Sequence, residues 1–295
     1  MKNILTKLII FALAVVSTAG ISAVSGSANS GNKLSSSICS ESMAAPDSAR
    51  VPVIMYHRVS PERSHSGRYT ITPCQLERDF EYLKKNGYNT ITVKDLVKYV
   101  NKGRELPENP IILTFDDGNS SDYKYLFPLL QKYDMKAVVS IIGKTTDEYT
   151  TQRQKIGKKA NFPHMCWDMV IEMSKSGLVE IQSHSYDLHG KHGAKRLKGE
   201  DESVYKNRLK SDLEKLQRLM KEKTGVTPNA FIYPLGAFSP ESMAALDELG
   251  FAASFSCTEG INIITRGNSD CLFMLKRNIR TQNRSIEAIV SGFGQ

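Results

Sequence analysis

The stretch PIILTFDDGNSSD, residues 110–122, joins an apolar run to two adjacent carboxylates. The run 110–115 contains β-branched and aromatic residues and is typical of a buried strand. Asp116 and Asp117 stand side by side at the end of that strand. Two such charges repel each other and lose solvation, so a compensating interaction must lie nearby. A bound cation is one such interaction.

Short apolar runs alternate with helical patterns from residue 51 onward. Strands are predicted at VPVIMY, NTITV, PIILTF, KAVVSII, LVEIQS, NAFIYP, FAASFS and LFMLKR. Amphipathic helical patterns lie between most of these runs, and several of the patterns end at a glycine, such as Gly87, Gly177 and Gly225. This alternation predicts a parallel α/β fold, closed as a barrel or open as a doubly wound sheet.

The N-terminus has the order of a secretory signal peptide. Lys2 and Lys7 precede an apolar run, and small residues follow it. We predict a signal peptide over 1–28, a flexible Ser- and Gly-rich spacer over 29–49, and one domain over 50–295 with its core motifs in 110–295. An uncleaved membrane anchor is the alternative. Cleavage would give a secreted or cell-wall-associated protein without a stable membrane span.

Composition and motifs exclude several other classes of protein. The 295-residue chain has a net charge of +8, which suits either a solvated face or attraction to an anionic partner such as a cell-wall polymer. It contains no glycine-rich nucleotide-binding fingerprint, no G-x-S-x-G motif and no nucleic-acid-binding motif. Its five cysteines are irregularly spaced, which indicates buried free thiols, although Cys257 and Cys271 could pair.

Reactive residues follow four of the predicted strands. They are His57, the pair Asp116 and Asp117, His184 with His189 in the loop beyond, and Tyr233. In α/β barrels the active site forms at the carboxyl ends of the strands. The two later histidines are five positions apart, so they converge only if the strand ends and the chain curls back. Two imidazoles and one carboxylate can hold a catalytic divalent metal, and the other aspartate can then act as a general base.

Other histidines and acids have simpler interpretations. A single loop histidine is more often a surface residue than a ligand, and we predict that role for His65, His164 and His192. Glu180 and Glu259 also lie near predicted strand ends. They leave a glycosidase possible in principle, but no motif surrounds either residue.

Three motifs resemble those of the polysaccharide deacetylase family, also called carbohydrate esterase family four or the NodB-homology domain. They are TFDDG at 114–118, SHSYDLH at 183–189 and YPLG at 233–236. The resemblance extends from about residue 51 to the end of the chain. It implies a distorted (β/α) barrel of seven or eight mostly parallel strands, with one catalytic divalent metal. It also implies the removal of acetyl groups, usually from N-acetylated sugars of polysaccharides.

The resemblance implies a role for each matching residue. Asp117, His184 and His189 would bind the metal, and Asp116 would be the general base. The backbone N–H of Tyr233 would help to hold the oxyanion. The substrate-binding groove would include Trp167, Pro234 and Leu275.

Two departures from the usual motifs point to a subgroup of the family. The metal histidines are spaced H-x-x-x-x-H, which resembles the subgroup that includes poly-N-acetylglucosamine deacetylases. Ile232 stands where an arginine usually orients the base, so Arg277 is the candidate for that role. No histidine follows His192, so the general acid would be His57, at the end of an early MYH as in that subgroup.

The sequence therefore predicts a secreted hydrolase of carbon–nitrogen bonds that removes N-acetyl groups from an N-acetylglucosamine-containing polysaccharide by attack of a metal-bound water. Zinc is the expected metal, with cobalt, nickel or iron as alternatives. The expected partner is the polysaccharide, bound by a monomer, without nucleic acid. The alternative functions are an O-acetyl esterase for xylan-type polymers and a non-catalytic cell-wall polysaccharide-binding protein.

Overall fold

The computed structural model describes residues 47–61, 68–157 and 162–293. The predicted signal peptide and most of the predicted spacer lie outside these residues. The first strand begins at Ser48, slightly before the predicted start of the domain at Arg50. Within the three described ranges, every helix is too short or too polar to span a bilayer.

Strands and helices alternate through most of the described chain. The strands are β1 (Ser48–Val51), β2 (Val53–Tyr56), β3 (Arg58–Val59), β4 (Thr70–Ile71), β5 (Asn89–Thr90), β6 (Pro110–Phe115), β7 (Ala137–Ile141), β8 (Val179–Ser183), β9 (Ala230–Ile232), β10 (Ala253–Phe255), β11 (Asn262–Thr265) and β12 (Asn278–Ile279). The α-helices are α1 (Pro73–Lys85), α2 (Val93–Lys102), α3 (Phe127–Tyr133), α4 (Gly143–Ile156), α5 (Trp167–Lys175), α6 (Glu202–Thr224), α7 (Ser242–Glu248) and α8 (Ile286–Val290). A π-helical turn spans Asp122–Leu126, and 3₁₀ turns span Pro234–Gly236, Ser269–Leu272 and Ser291–Phe293.

A curled sheet of parallel strands forms a half-barrel. Its strand order is β10-β9-β8-β7-β6-β2-β12, and β5 pairs with β6 beside this path. Every pairing in this sheet is parallel. Two further pairs stand outside it, with β1 antiparallel to β11 and β3 parallel to β4. The predicted barrel of seven or eight mostly parallel strands is therefore confirmed.

The two faces of the sheet pack into different cores because successive side chains of a strand point to opposite sides. In β6, Leu113 and Phe115 pack in one core with side chains of α1, α3 and α5. Ile112 joins the second core, with Val138 of β7 and Ile232 of β9. Since both faces of the sheet are covered, the sequences of the strands are nearly continuous apolar runs.

The segment LFMLKR, 272–277, is not the strand that its sequence predicts. It begins in a 3₁₀ turn, and Met274 has a φ of +57°, which interrupts an extended conformation. Leu275 makes one isolated bridge to β10, and pairing with β2 begins at Asn278. The segment thus crosses from one edge of the half-barrel toward the other and carries Arg277 between them.

Two helices have no sequence pattern that predicts them. α4 buries Gly143 and Thr146 and has no apolar face. α8 spans five residues, which is too short to show a helical period. The amphipathic pattern between the strands PIILTF and KAVVSII forms a π-helical turn followed by α3, and not one regular helix.

A buried ion pair ties α1 to the chain that follows β12. The Nε atom of Arg280 is 2.7 Å from Asp79 Oδ2, and its Nη2 atom is 3.0 Å from Oδ1. The hydroxyl of Tyr56 donates a further hydrogen bond to Oδ2 at 3.1 Å. Both charged side chains are almost fully buried, so either charge without its partner would be left uncompensated.

We predict that Asp79→Ala lowers the free energy of unfolding by about 3–5 kcal/mol, because the Arg280 guanidinium would stay buried without an anion. Chemical denaturation followed by circular dichroism measures the change. Glu77→Ala is the matched control on the same helix, since Glu77 pairs with Lys132 at the surface and should unfold at the wild-type midpoint. An unchanged midpoint for Asp79→Ala would contradict the prediction.

Candidate active site

Sheet geometry brings the strand-end residues together. β2, β6, β7 and β8 are near neighbours in the half-barrel and run in the same direction, so their carboxyl ends share one edge. Asp116 follows β6 on the same side as Ile112, because side chains alternate along a strand. By the same rule His57 follows β2 on the side of Val53, which packs with Ile112 in the second core. The two side chains therefore meet at the mouth of the half-barrel.

Asp117, His184 and His189 form a compact set of candidate metal ligands. One ligand atom from each residue lies within 4.8 Å of the others. Asp117 Oδ1 is 3.1 Å from His189 Nε2 and 3.5 Å from His184 Nε2. This oxygen is buried and accepts no hydrogen bond that meets normal geometry from any described residue. A divalent cation fits this donor set, because it would satisfy the buried oxygen and both imidazole lone pairs.

Hydrogen bonds and neighbouring charges set the protonation states of the three candidate ligands. His184 Nδ1 is 2.9 Å from the carbonyl oxygen of Ile232, so Nδ1 carries the proton and Nε2 keeps its lone pair. Burial would raise the pKa of Asp117, but the two imidazoles outweigh it and lower that pKa. The Asp117 carboxylate, whose Oδ1 is 3.1 Å from His189 Nε2, raises the pKa of His189. The site is thus electrostatically suited to a positive charge.

Left-handed backbone conformations orient the side chains of these candidate ligands. Asp117 has a φ of +75° and Gly118 a φ of +62°, so the chain turns sharply at the end of β6. A Cβ atom at position 118 would lie 3.0 Å from the side chain of Ile141, which explains the glycine after the two aspartates. After β8, Ser185 has a φ of +72°. That turn curls the chain back toward His184, as the five-residue spacing requires.

The second carboxylate, Asp116, is held by the guanidinium of Arg277. Both of its oxygens are 2.8 Å from Arg277 Nη1, and Ser140 Oγ donates to Oδ1 at 2.9 Å. Burial would raise the pKa of Asp116, but the Arg277 charge and the nearby imidazoles outweigh it and lower the pKa. Asp116 is therefore ionised at neutral pH. Its Oδ2 atom accepts fewer hydrogen bonds than Oδ1 and retains a lone pair for an incoming proton.

Arg277 is fully buried and is itself fixed by other groups. Its Nε donates to the carbonyl oxygen of Ser256 at 2.8 Å, and its Nη2 lies 3.7 Å from Cys257 Sγ.

Cys257 is exposed and unpaired, as is Cys74, so the prediction of buried thiols is wrong for both. Cys271 is also a free thiol, and the pairing of 257 with 271 left open by the sequence does not occur.

His57 stands beside Asp116, the predicted base. Its Nε2 atom is 3.9 Å from Asp116 Oδ2, and its ring is tilted against Tyr69 with centroids 5.0 Å apart. Burial lowers the pKa of His57, although the charges of Asp116 and Asp117 oppose that effect. The structure thus places the predicted acid and the predicted base next to each other.

The backbone N–H of Tyr233 is not free to hold an oxyanion, which corrects the role implied by the sequence. It donates to the carbonyl oxygen of Phe255 at 3.2 Å, in the β9–β10 pairing. The phenol is buried as well, 2.6 Å from Ser242 Oγ. Leu235, two positions later, has a φ of +59° and an exposed side chain, and its N–H makes no hydrogen bond to a described residue.

The three predicted substrate-binding side chains are buried. Trp167 is 4% exposed and its indole N–H donates to Asp147 Oδ1 at 2.7 Å. Leu275 is 1% exposed in the second core, and Pro234 is buried in its 3₁₀ turn. None of these side chains offers much surface to a polymer. All three side chains take part in packing, and their assignment to the substrate-binding groove stays a prediction.

A pocket of about 610 Å³ lies beside the candidate metal ligands instead. Its polar lining, besides Asp117 and His189, includes Asn119, Lys144, Glu148, His164 and Asp187. Two of these residues lie on α4, which no sequence pattern predicts. His164, predicted to be a surface residue, belongs to this pocket, whereas His65 lies outside the described residues and His192 is exposed. Glu180 is bonded to the backbone N–H of Lys94 at the start of α2, away from this site.

A curled α/β half-barrel that carries a His₂Asp set of candidate metal ligands beside a buried carboxylate is an arrangement that suits a hydrolase. The sequence profile of the polysaccharide deacetylase family matches residues 103–254, which is more than half of the chain. The chain belongs to that family. The resemblance noted in the three motifs is thereby confirmed.

Relatives share this family over most of the described domain. The poly-β-1,6-N-acetyl-D-glucosamine N-deacetylase of Escherichia coli K12 is 25% identical over 253 residues, covering 79% of this chain and 37% of that protein. The enzyme of the same name from Staphylococcus aureus NCTC 8325 is 26% identical over 195 residues, covering 65% of this chain and 62% of that protein. This chain therefore spans about a third of the length of the E. coli relative and less than two thirds of the staphylococcal one.

Solved structures agree with the fold. A de-N-acetylase from Aggregatibacter actinomycetemcomitans is 26% identical and superposes with a TM-score of 0.68, covering 82% of this chain and 99% of that one. IcaB from Ammonifex degensii is 26% identical with a TM-score of 0.65, covering 82% and 95%. The described domain thus matches nearly the whole of each of these chains.

Asp122 is a buried carboxyl group in the π-helical turn after the DDG motif. It is fully buried, and neither of its oxygens has a hydrogen-bond partner of normal geometry among the described residues. Burial raises the pKa of Asp122 well above its usual value, and the charge of Asp117 adds to that rise. The folded protein therefore holds a proton here that the unfolded chain releases. Stability must fall as the pH rises through the unfolded pKa of about 3.9.

We predict that Asp122→Asn, which keeps the shape and removes the titration, stabilises the protein at neutral pH. The gain should be roughly 1.4 kcal/mol for every unit by which folding raises the pKa, and it should vanish below about pH 4. Denaturant unfolding of both proteins between pH 3 and 8 measures it. Asn substitution of the exposed Asp247 controls for loss of one carboxylate. A gain that does not depend on pH would contradict the prediction.

Proposed function

We propose that this protein removes N-acetyl groups from an N-acetylglucosamine-containing polysaccharide, with one divalent metal held by Asp117, His184 and His189. The observation that carries the proposal is the position of an ionised, buried Asp116 next to that ligand set. The relatives named as poly-β-1,6-N-acetyl-D-glucosamine N-deacetylases support an amide rather than an ester as substrate.

The donor set favours a borderline metal such as zinc, with cobalt, nickel or iron as alternatives. When bound, the metal would polarise the acetyl carbonyl and lower the pKa of water at the site. The protein supplies the two further groups that amide hydrolysis needs, a base for the attacking water and an acid for the departing nitrogen.

Asp116 acts as the base in this proposal. Its Oδ2 takes a proton from the water whose oxygen forms a bond to the acetyl carbon. His57 Nε2 is 3.9 Å from Asp116 Oδ2 and can receive the proton from it. His57 then gives a proton to the sugar nitrogen as the carbon–nitrogen bond breaks. The products are acetate and a sugar with a free amine.

The backbone N–H of Leu235 is our candidate for holding the developing oxyanion. It is the first amide after Tyr233, because Pro234 has none, and it is free of internal hydrogen bonds among the described residues. A left-handed residue at a turn can present its N–H outward from the sheet. A preorganised donor of this kind stabilises the charge that appears on the carbonyl oxygen in the transition state.

We also propose export of the protein. The basic, apolar and small-residue order of residues 1–28 supports a signal peptide, and a polysaccharide substrate would be met outside the cytoplasm. Mass spectrometry of the N-terminus of the protein recovered from culture medium and from membranes tests this directly. An intact N-terminus in the membrane fraction would favour the anchor instead.

Acetate release from defined polymers tests the proposed function. The metal-loaded protein is incubated with poly-β-1,6-N-acetylglucosamine, chito-oligosaccharides, peptidoglycan and acetylxylan, with Asp117→Ala as the blank. We expect metal-dependent acetate and new free amines from at least one N-acetylated polymer. Acetate from acetylxylan alone would indicate the esterase. Binding to a polymer without acetate release would indicate a non-catalytic protein.

We predict that metal binding and turnover separate in two neighbouring variants. Asp117→Ala should lose bound metal and activity together, because it removes a ligand. Asp116→Asn should keep the metal and lose about 10²–10⁴-fold in kcat, because it removes only the base. Metal content by atomic emission spectrometry and acetate release are measured on the same samples. An active Asp116→Asn enzyme would show that the base lies elsewhere.

We predict that His57→Ala affects amides more than activated esters. An amine is a poor leaving group without a proton, so kcat on an N-acetylated oligosaccharide should fall by about 10²–10⁴-fold. Hydrolysis of 4-nitrophenyl acetate, whose leaving group needs no proton, should fall much less. His192→Ala, at an exposed histidine, is the control. Equal losses on both substrates would contradict the assignment of His57 as the acid.

A further inference from the structure

His164 is the one histidine of the pocket that is neither a candidate ligand nor a neighbour of the base. It lines the same 610 Å³ pocket as Asp117 and His189 and is partly exposed there. The proton transfers described above make no use of it. Its position therefore calls for a separate explanation, which its contacts supply.

The backbone around His164 is fastened to the loop that carries the DDG motif. Asn119 and His164 form an isolated antiparallel bridge. On either side, Ser120 N donates to the carbonyl oxygen of Pro163 at 2.9 Å, and Met165 N donates to that of Gly118 at 2.9 Å. This short ladder fixes the position of His164 relative to the ligand Asp117.

The imidazole ring is fixed as well. Its Nδ1 atom is 3.0 Å from the carbonyl oxygen of Asp117. The ring also stacks on Tyr149, with centroids 5.7 Å apart and planes inclined by 20°. A side chain held by a hydrogen bond and a ring contact loses little further freedom when it binds a ligand.

The hydrogen bond to Asp117 determines what His164 can offer. A carbonyl oxygen can only accept, so Nδ1 must carry the proton. In the neutral ring, Nε2 is then an acceptor with its lone pair in the ring plane. No described residue bonds to this atom, and it is not among the buried polar atoms that lack partners. It is thus an accessible and oriented acceptor beside the metal site.

We propose that His164 is a substrate-binding residue whose Nε2 accepts a hydrogen bond from a sugar hydroxyl of the bound polysaccharide. The inference rests on the proposed function, since it assumes that a sugar occupies this pocket. Hydroxyl groups are the donors that a polysaccharide presents most often, and an imidazole acceptor in a fixed direction selects among their positions on the ring. His164 would therefore contribute to polymer affinity and specificity, and not to the proton transfers.

Two substitutions separate this role from a purely structural one. In His164→Asn, the amide nitrogen can replace Nδ1 and still donate to the Asp117 carbonyl, but no atom replaces Nε2. In His164→Ala, both contacts are lost. A structural role predicts that Asn restores wild-type behaviour and that Ala weakens metal binding. A substrate-binding role predicts that Asn is impaired in polymer binding alone.

The test compares KM, kcat and metal affinity of wild type, both variants and His192→Asn, using the N-acetylated polymer that gives acetate with the wild type. We expect His164→Asn to raise KM about tenfold, the loss of one hydrogen bond, with kcat and metal affinity retained. His192→Asn should match the wild type. A wild-type KM in His164→Asn would overturn the inference while leaving the proposed function intact. No acetate from any polymer with wild type would overturn both.

Discussion

The interaction on which the site depends is the buried contact between Arg277 and Asp116. Bringing both charges out of water costs several kcal/mol per ion, and their attraction offsets this only when further hydrogen bonds complete the arrangement. Ser140, Ser256 and Cys257 provide those bonds. The result is a carboxylate that is held in place and ionised although it is almost inaccessible to bulk water.

The same contact explains the position of the chain that precedes β12. An ordinary strand there would close the sheet but would also turn alternate side chains away from its interior. The left-handed Met274 and the single bridge at Leu275 release the chain from the ladder, so that Arg277 can reach across. The segment bridges β10 and β2 within a few residues and carries Arg277 between them. Its irregular backbone therefore places the guanidinium against Asp116.

Much of the fold and of the ligand set could be predicted because both depend on local patterns. Buried parallel strands have continuous apolar runs, and helix ends have recognisable caps. The alternation of strands and helices can therefore be predicted from short segments of sequence. The turn at Ser185 was predictable from spacing, since His184 and His189 could converge in no regular element. The role of Arg277 was harder to predict from the sequence, because only its burial against Asp116 distinguishes it from other arginines.

The remainder could not be predicted because it depends on which backbone and side-chain groups the folded chain has already used. The N–H of Tyr233 cannot hold an oxyanion because it donates to the carbonyl oxygen of Phe255 in the sheet. Trp167 is packed in the core, and its indole N–H donates to the part-buried Asp147. His164 lies in the pocket beside the candidate ligands because α4 and the DDG loop surround it. None of these outcomes follows from residue type or spacing, since each is decided by contacts between distant segments.

The position of Arg277 along the chain sets a condition on folding. It lies 161 positions after Asp116, so the contact between them closes a long loop of chain. Asp116 stands at the end of a central strand, yet it gains its counter-ion only when the C-terminal segment has docked. The charge balance of the site is therefore completed by one of the longest-range contacts in the fold.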